Sequence, residues 1–357
     1  MFTDLGPFEI QSVLDWSNFW VAAGSIRATY AEAHRTAASA CGAADSLRQL
    51  YRLGKSLHPE VTARDLKKRA IILSLWASHH RDICWWFGIS DNPLLAQALE
   101  RFPEMHGAVY WPYVHSAWQV RQRLHAVDGH YRLLGGKAAI VAHAIGRELE
   151  IAALGDSTLS LRIVMDKAEW FVREGEVVLN LFLADQRLLS IAFTLGTEGG
   201  RRVAYVGAIQ GSNAPGTLDV YRKVTHTLHG MRPRDILMAA LKLTCAEIAV
   251  DRVLAVSDAA RVQNSAYFGR GRKDKLLLKY DEVWVEHGGK RLDGGFFEIP
   301  LGMRYREPDD VPTRKRAAYR RRYAMLDKLA LDVAATCSAF DSSHSLFVAP
   351  GIGCEAQ

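Results

Sequence analysis

The chain has 357 residues, a formal net charge of +6 at pH 7, 49% hydrophobic and 24% charged residues, which are the proportions of a soluble globular protein with two lobes or one extended domain. No run of eighteen uninterrupted apolar residues marks a membrane span. The five cysteines, Cys41, Cys84, Cys245, Cys337 and Cys354, are odd in number and lack C-x-x-C spacing, which speaks against a disulfide framework or structural zinc and for a reducing compartment.

The opening Met1-Phe-Thr-Asp-Leu-Gly-Pro-Phe-Glu-Ile10 carries acids where a signal peptide needs bases, so a cytoplasmic protein is expected. Arg314 to Arg322 holds six basic residues and no acidic one, as much as the whole net charge. The basic character is therefore local, and no general nucleic-acid coat is implied.

From about Ala23 to Arg123 the sequence reads as helical, with alanine- and leucine-rich runs over Ile26–Leu53 and Ala63–His80 and a shorter one over Pro93–Arg101. Thr62 with Asp65 three residues on predicts a helix start, and Pro103 and Pro112 mark helix ends. The aromatic cluster Trp76, Trp85, Trp86, Phe87, Trp111, Tyr113 and Trp118 fits either an apolar ligand pocket or packing between two lobes. His79, His80 and Asp82 are metal-ligand types, but adjacent histidines leave a helix in different directions, so no metal is expected there.

The texture changes after the turn at Asp128-Gly129. Glu148–Leu154 and Leu159–Val164 alternate as strands, Val177–Leu183 and Leu188–Leu195 read as a hairpin across Ala184-Asp185-Gln186, and Val203–Gln210 reads as the next strand. Gly211–Gly216 breaks the pattern before a helical run over Thr217–Leu228. Gly230-Met-Arg-Pro233 breaks it again before a long helix over Pro233–Ile248, with Pro233 in its first turn and Leu237, Ala240, Leu241, Thr244 and Ile248 on one face. A buried strand, Val253–Val256, follows. Ser257-Asp258 then reads as a helix start, serving either as a cap or as part of a crevice. A strand, a loop, a helix and a returning strand make a crossover unit, whose ligands bind at strand carboxyl ends.

Beyond Phe268, Gly269–Lys275 reads as a loop, Asp281–His287 and Phe296–Leu301 as a hairpin across Gly288–Gly295, Thr313 to Ala335 as a basic helix, and the residues after Ser338 as disordered. The expected fold is α+β, a mixed and mostly antiparallel sheet with a β-α-β crossover and an N-terminal helical layer. Three regions are expected: a helical part over 1–126, an α/β core with the basic helix over 127–335, and a disordered tail over 336–357.

The residues ahead of Pro233 leave free backbone N–H groups at the positive end of a helix, flanked by Arg232 and Arg234. That is either a site for phosphate or pyrophosphate or an ordinary loop with two solvated arginines. In the basic helix, Tyr319, Tyr323 and Leu326 form a seam expected to pack on the body. Arg316 and Arg320, four apart, are then placed toward the crevice of Arg232, with a simply solvated face as the alternative.

Three stretches, Tyr205-Val-Gly-Ala-Ile-Gln-Gly211, His229-Gly-Met-Arg-Pro-Arg-Asp235 with Ala255-Val-Ser-Asp258, and Thr313–Tyr323, resemble the VirK/YbjX family of bacterial proteins, over most of the chain from near Trp111 to Leu331. The resemblance implies an association with virulence, the cell envelope and antimicrobial-peptide resistance, and no particular reaction. The order of elements from Val177 to Leu301 is similar to the GNAT-type acyltransferase core, in which a glycine-containing loop ahead of a helix receives the pyrophosphate of an acyl-coenzyme A. Gly230-Met-Arg-Pro-Arg234 occupies that place, and the crossover would then be GNAT-like. The chain departs from the usual glutamine/arginine-x-x-glycine-x-glycine pattern, and about twenty residues separate Gln210 from the loop.

What this likeness implies is an acyltransferase moving an acyl group from acyl-coenzyme A or acyl-carrier protein to an amine or hydroxyl acceptor, with no metal. His130 is then the base, or else a structural histidine capping a turn, and Tyr267 the acid. Gln210, Gly230, Met231, Arg232, Arg234, Arg316 and Arg320 would bind the donor. The other expectation is a non-catalytic GNAT-like protein whose basic helix docks on anionic lipid or RNA, a membrane surface rather than nucleic acid being the expected partner. That reading sets the protein at the inner face of the membrane.

Overall fold

The computed structural model describes residues 42–89, 91–156, 159–212, 216–268, 278–303 and 305–341. The expected helical run over Ile26–Leu53 is described only from residue 42, and the expected Gly269–Lys275 loop and the residues beyond 341 lie outside the described residues. α1 (Ala43–Leu57), α2 (Ala63–Phe87), α3 (Pro93–Arg101) and α4 (Val120–Arg132) come first, joined by a 3-10 stretch, Pro103–Val109. Thr62 caps α2 as the spacing predicts, its side chain accepting from the Asp65 amide, an arrangement worth about 1 kcal/mol. No strand precedes Leu149 among the described residues. Trp86, Phe87, Trp111 and Tyr113 pack into the main core, so the aromatic cluster is packing material.

After the short α5 (Ala139–His143), β1 (Leu149–Asp156), β2 (Leu159–Asp166), β3 (Val177–Leu183), β4 (Gln186–Glu198) and β5 (Arg201–Gly211) form an antiparallel meander. The β3–β4 hairpin turns on Ala184 and Asp185, with Ala184 at φ 49°, the positive φ that a tight hairpin turn needs. α6 (Thr217–Thr227) and α7 (Pro233–Glu247) carry the chain back to β6 (Arg252–Val256), which pairs in parallel with β5. α8 (Tyr280–Glu286), β7 (Lys290–Arg291), β8 (Phe296–Ile299) and α9 (Arg316–Asp341) complete one mixed sheet of order β1-β2-β3-β4-β5-β6-β8-β7 with its helices.

α7 lies across β3 and β4, and its Leu237 and Leu241, with Ile248 just beyond its end, are fully buried, as the helical spacing predicts. Leu179, Leu181, Ile191 and Phe193 join that core. Val178, Ala192 and Ala208, which alternate with them, pack with Ala168 and Phe171 in a smaller cluster. α9 packs on α7 and β1 through Leu326, Leu329, Val333 and Cys337. The main core draws on α1 through α9, α4 spans residue 126, and α9 runs on through Asp341, so the helix continues past Ser338, where the sequence reads as disordered.

One element differs in kind. Asp281–His287 reads as a strand, yet Asp281–Glu286 lies in α8 and His287 is its C-cap. Its Val-Trp-Val segment favours β structure locally, but Tyr280, Val283 and Trp284 bury one helical face, and the Asp258 carboxylate accepts from the Tyr280 and Asp281 amides at 2.9 and 3.1 Å. Tertiary capping overrides propensity. Ser257-Asp258 accordingly starts only a 3-10 turn of its own and caps a helix some twenty residues later.

Gly207 is where the sheet allows no side chain: a Cβ there would stand 2.0 Å from the Glu174 carbonyl oxygen. Gly207→Ala should therefore lower stability by about 2–4 kcal/mol. Urea unfolding with an unchanged midpoint would show that the chain at Glu174 does not cross the strand this closely.

Candidate functional site

The parallel pairing of β5 with β6 covers only Val203–Val206 against Arg252–Ala255, although β5 continues to Gly211. The register with β4 slips at the same level, Ala192 facing Ala208 and Phe193 facing Val206, so Gly207 is a bulge, a feature that bends a strand and re-aims its neighbours. Past this parting the Ile209 amide donates to Tyr280 Oη at 3.0 Å. Tyr280 is fully buried. Trp284, one turn on, donates its Nε1 to the Val256 carbonyl at 2.8 Å. The Arg261 guanidinium lies 3.7 Å above the Tyr280 ring and donates to the Leu278 carbonyl at 2.8 Å.

Glu174 crosses at this bulge. Burial pushes its carboxyl up to about 7, only partly opposed by the Arg173 charge, and Gln263 Nε2 donates to it at 3.0 Å. Burial likewise pushes Tyr280 up to about 12, against the pull of Arg261. Beside them Val114, a β-branched residue, is held at φ 56° with its amide donating to the Arg173 carbonyl at 2.7 Å, and such strain persists only where the surroundings impose it. The Arg173 guanidinium is 4.8 Å from the Trp111 ring and 5.3 Å from that of Tyr267.

Two residues on, Glu176 has the opposite character. It accepts from Tyr113 Oη and Tyr131 Oη at 2.9 Å each and from Lys167 Nζ at 2.5 Å. Burial alone would raise this carboxyl, but the Lys167 charge, with His130 and the hydrogen bonds, holds it below the usual range.

His130 belongs to the enclosed interior, as Tyr280 does. It has no exposed surface, its Nδ1 accepts from the Leu195 amide at 3.1 Å, and burial lowers it to about 4. The neutral ring closes the β4 backbone just beyond its pairing with β3, which ends at Phe193 opposite Val177, so its partner is a strand amide and not a turn. Tyr267 is half-buried, with its hydroxyl 3.5 Å from Arg173 Nη2 and its ring against Tyr110 at 5.1 Å.

At the start of α7, Gly230 takes the left-handed φ of 84° and Met231 is buried. Arg232 donates to Glu286 at 2.8 Å and to Asp235 at 2.8 and 3.0 Å, and Arg234 also reaches Glu286. A carboxylate thus sits on both arginines. Arg316 donates to the Val311 carbonyl and lies 3.5 Å from Asp309, Arg320 is exposed, and neither meets this loop. Arg322 does, donating from Nε and Nη2 to the His229 carbonyl at 3.3 and 3.0 Å. It stacks on Tyr319 at 4.4 Å, which sets it on the body side of the aromatic seam. Gln210 is paired with Ser190 on β4, apart from the loop.

The structure therefore brings together Gly230, Met231, Arg232 and Arg234, and leaves His130, Gln210, Arg316 and Arg320 elsewhere. Glu174, Tyr280 and Arg322 are missed by sequence reasoning, whereas Asp258 is a cap as expected, but of the Tyr280 helix rather than of its own. The available signal was Glu174-Gly-Glu176, two acids set directly ahead of an apolar strand. Among the described residues no cluster of His, Cys, Asp and Glu could hold a metal, and no helix is long and apolar enough to cross a membrane.

A family model described as "Protein of unknown function (DUF535)" matches residues 63–335. The "Uncharacterized protein YbjX" of Escherichia coli (strain K12) is 27% identical over 259 residues, covering 69% of this chain and 76% of its own. An uncharacterized protein of Haemophilus influenzae is 25% identical over 242 residues, 68% of this chain and 79% of its own, and a second is 30% identical over 128 residues, 36% and 42%. No solved structure is significantly similar.

The raised Glu174 carboxyl has a pH signature. Its folded value of about 7 lies above the ordinary 4.5, so the native state keeps a proton that the unfolded chain loses. This contribution to stability is full below the ordinary value and is lost as pH rises from there to about 7. Between pH 5 and 8 the wild type should lose about 2–3 kcal/mol more than Glu174→Gln. Parallel urea-unfolding profiles of the two proteins would contradict the shift.

Proposed function

This chain belongs to the DUF535 family, proteins of unknown function, and we propose that it is an acyltransferase that moves an acyl group from a thioester carrier to an amine. One observation carries this reading: β5 and β6 part at Gly207, where the Glu174 backbone crosses the strand and the Tyr280 hydroxyl takes the Ile209 amide, so two residues with ionisable side chains belong to the parting. The similarity of the element order to the GNAT-type core supports it, and an acceptor in the cell envelope rests on the VirK/YbjX likeness alone.

Acyl transfer to an amine forms a C–N bond as the C–S bond breaks, so the nitrogen must lose a proton and the sulfur must gain one. Glu174, at about 7, is ionised to a useful fraction at neutral pH and takes the amine proton. Tyr280, held protonated by burial, gives its proton to the leaving thiolate. The thioester supplies the activated acyl carbon. Gly230, Met231, Arg232 and Arg234 are the residues that would hold a carrier's phosphates, with Arg322 steadying the loop through His229. There a phosphate takes the place of Glu286 on the two guanidinium groups, the doubly charged anion competing well for them at a helix start.

A second reading is favoured by a separate feature. Arg314, Lys315, Arg320 and Arg321 are exposed and make no ion pair among the described residues, which suits association with an anionic lipid surface at about 1 kcal/mol per cation.

The two are separable. A thermal-shift screen with coenzyme A, acyl-coenzyme A and acyl-carrier protein should stabilise the protein by about 2.7 kcal/mol at a hundred times the dissociation constant. Glu174→Gln and Tyr280→Phe should each lower kcat about 10²- to 10³-fold with little change in KM. The absence of any shift or turnover with all three carriers overturns the acyltransferase, and steeply salt-dependent binding to phosphatidylglycerol vesicles in the same preparation establishes the second reading.

A further inference from the structure

A polar cleft of about 320 Å³, well away in sequence from the β5–β6 parting, opens where the end of α3, the entry to β1 and the end of β2 meet. Its walls carry Arg101, Arg147, Glu148, Asp166 and Lys167, and the size is that of a small metabolite site. Most arginines of this protein that face a neighbour face a carboxylate, as Arg132, Arg232 and Arg252 do. Among the described residues, Arg101, Arg147 and Glu148 have no opposite charge within 4.0 Å.

These groups are nonetheless held in place. Arg101 Nη2 donates to the Gly146 carbonyl at 2.7 Å and Arg147 Nε to the His143 carbonyl at 2.6 Å, which leaves the remaining guanidinium N–H groups to a ligand. Gly146 has φ 80°, and a Cβ there would stand 2.0 Å from Arg101 Cζ, so the glycine is what admits the arginine. The floor is fixed by Lys167, whose side chain is 6% exposed and tied to the buried Glu176. Asp166 is held by Asn180 Nδ2 at 2.9 Å and lies 3.7 Å from Arg187 Nη2. Cations and carboxylates fixed on one small concave surface, with two cations and a carboxylate unpaired, form a preorganised site for a molecule bearing both charges.

We infer that this cleft binds a small zwitterion of the amino-acid or dipeptide kind, its carboxylate on Arg101 and Arg147 and its ammonium facing Asp166 and Glu148. The site is independent of the acyl-transfer reading.

Calorimetric titration with glycylglycine tests this, alongside N-acetylglycylglycine, which lacks the ammonium, and glycylglycine amide, which lacks the carboxylate. Glycylglycine should bind about tenfold more tightly than either. Arg147→Gln should weaken glycylglycine and the acetylated peptide about tenfold and spare the amide, and Glu148→Gln should weaken glycylglycine and the amide and spare the acetylated peptide. Both positions are exposed, so the variants keep the wild-type melting temperature. No binding of glycylglycine at millimolar concentration, equal affinity for all three peptides, or wild-type affinity in both charge variants would overturn the proposal.

Discussion

The buried carboxylate of Glu176 is the interaction on which most of this architecture depends. Tyr113 arrives from the helical segments, Tyr131 from α4 and Lys167 from the end of β2, and all three meet on one side chain at the start of β3. Thr194 on β4 adds a further bond to Tyr113 Oη at 2.7 Å and accepts the Glu176 amide at 3.2 Å. An ion pair this deep contributes little net stability when intact, since desolvation offsets attraction. Losing one partner leaves a buried charge, at a cost of about 3–5 kcal/mol. The network therefore acts as a register: the helical layer and the sheet can dock in one relation only.

Glu174 lies two residues away and shows what the absence of such partners does. Both carboxyls are buried; Glu176 has a lysine at hydrogen-bond distance and ionises readily, whereas Glu174 has a glutamine and is driven toward neutrality. Environments that push two neighbouring carboxyls apart are the usual way a fold obtains one structural acid and one proton-transfer group near pH 7. The glycine between them makes the contrast possible, since a Cβ at Gly175 would stand 2.6 Å from the Phe193 amide nitrogen.

The meander and the crossover were legible because their residues obey short-range rules. Val177–Leu183 is apolar at every position but Asn180, Pro233 sits where a helix can begin, and Leu237, Leu241 and Ile248 recur at helical spacing. Thr62 and Asp65 marked a cap that the structure contains. α8 was not legible, because what turns Tyr280–Glu286 into a helix is a carboxylate from Asp258, far off in sequence. The placement of the candidate site residues was illegible for the same reason. His130 looks like a base in one dimension, and only the fold reveals that its ring answers the Leu195 amide. Arg316, Arg320 and Arg322 lie within two helical turns of one another, and which one meets His229 is decided by how α9 rolls on α7 and β1.

The remote cap of α8 also bears on how the chain reaches this state. A helix of seven residues is far below the length at which helices persist in water on their own. Its first-turn amides are answered only by Asp258, at the carboxyl end of β6, and β6 gains its neighbours only after α6 and α7 have returned the chain to β5. α8 is thus a helix that exists only by virtue of the assembled sheet, and its Tyr280 in turn answers the Ile209 amide that the parting of β5 from β6 leaves open.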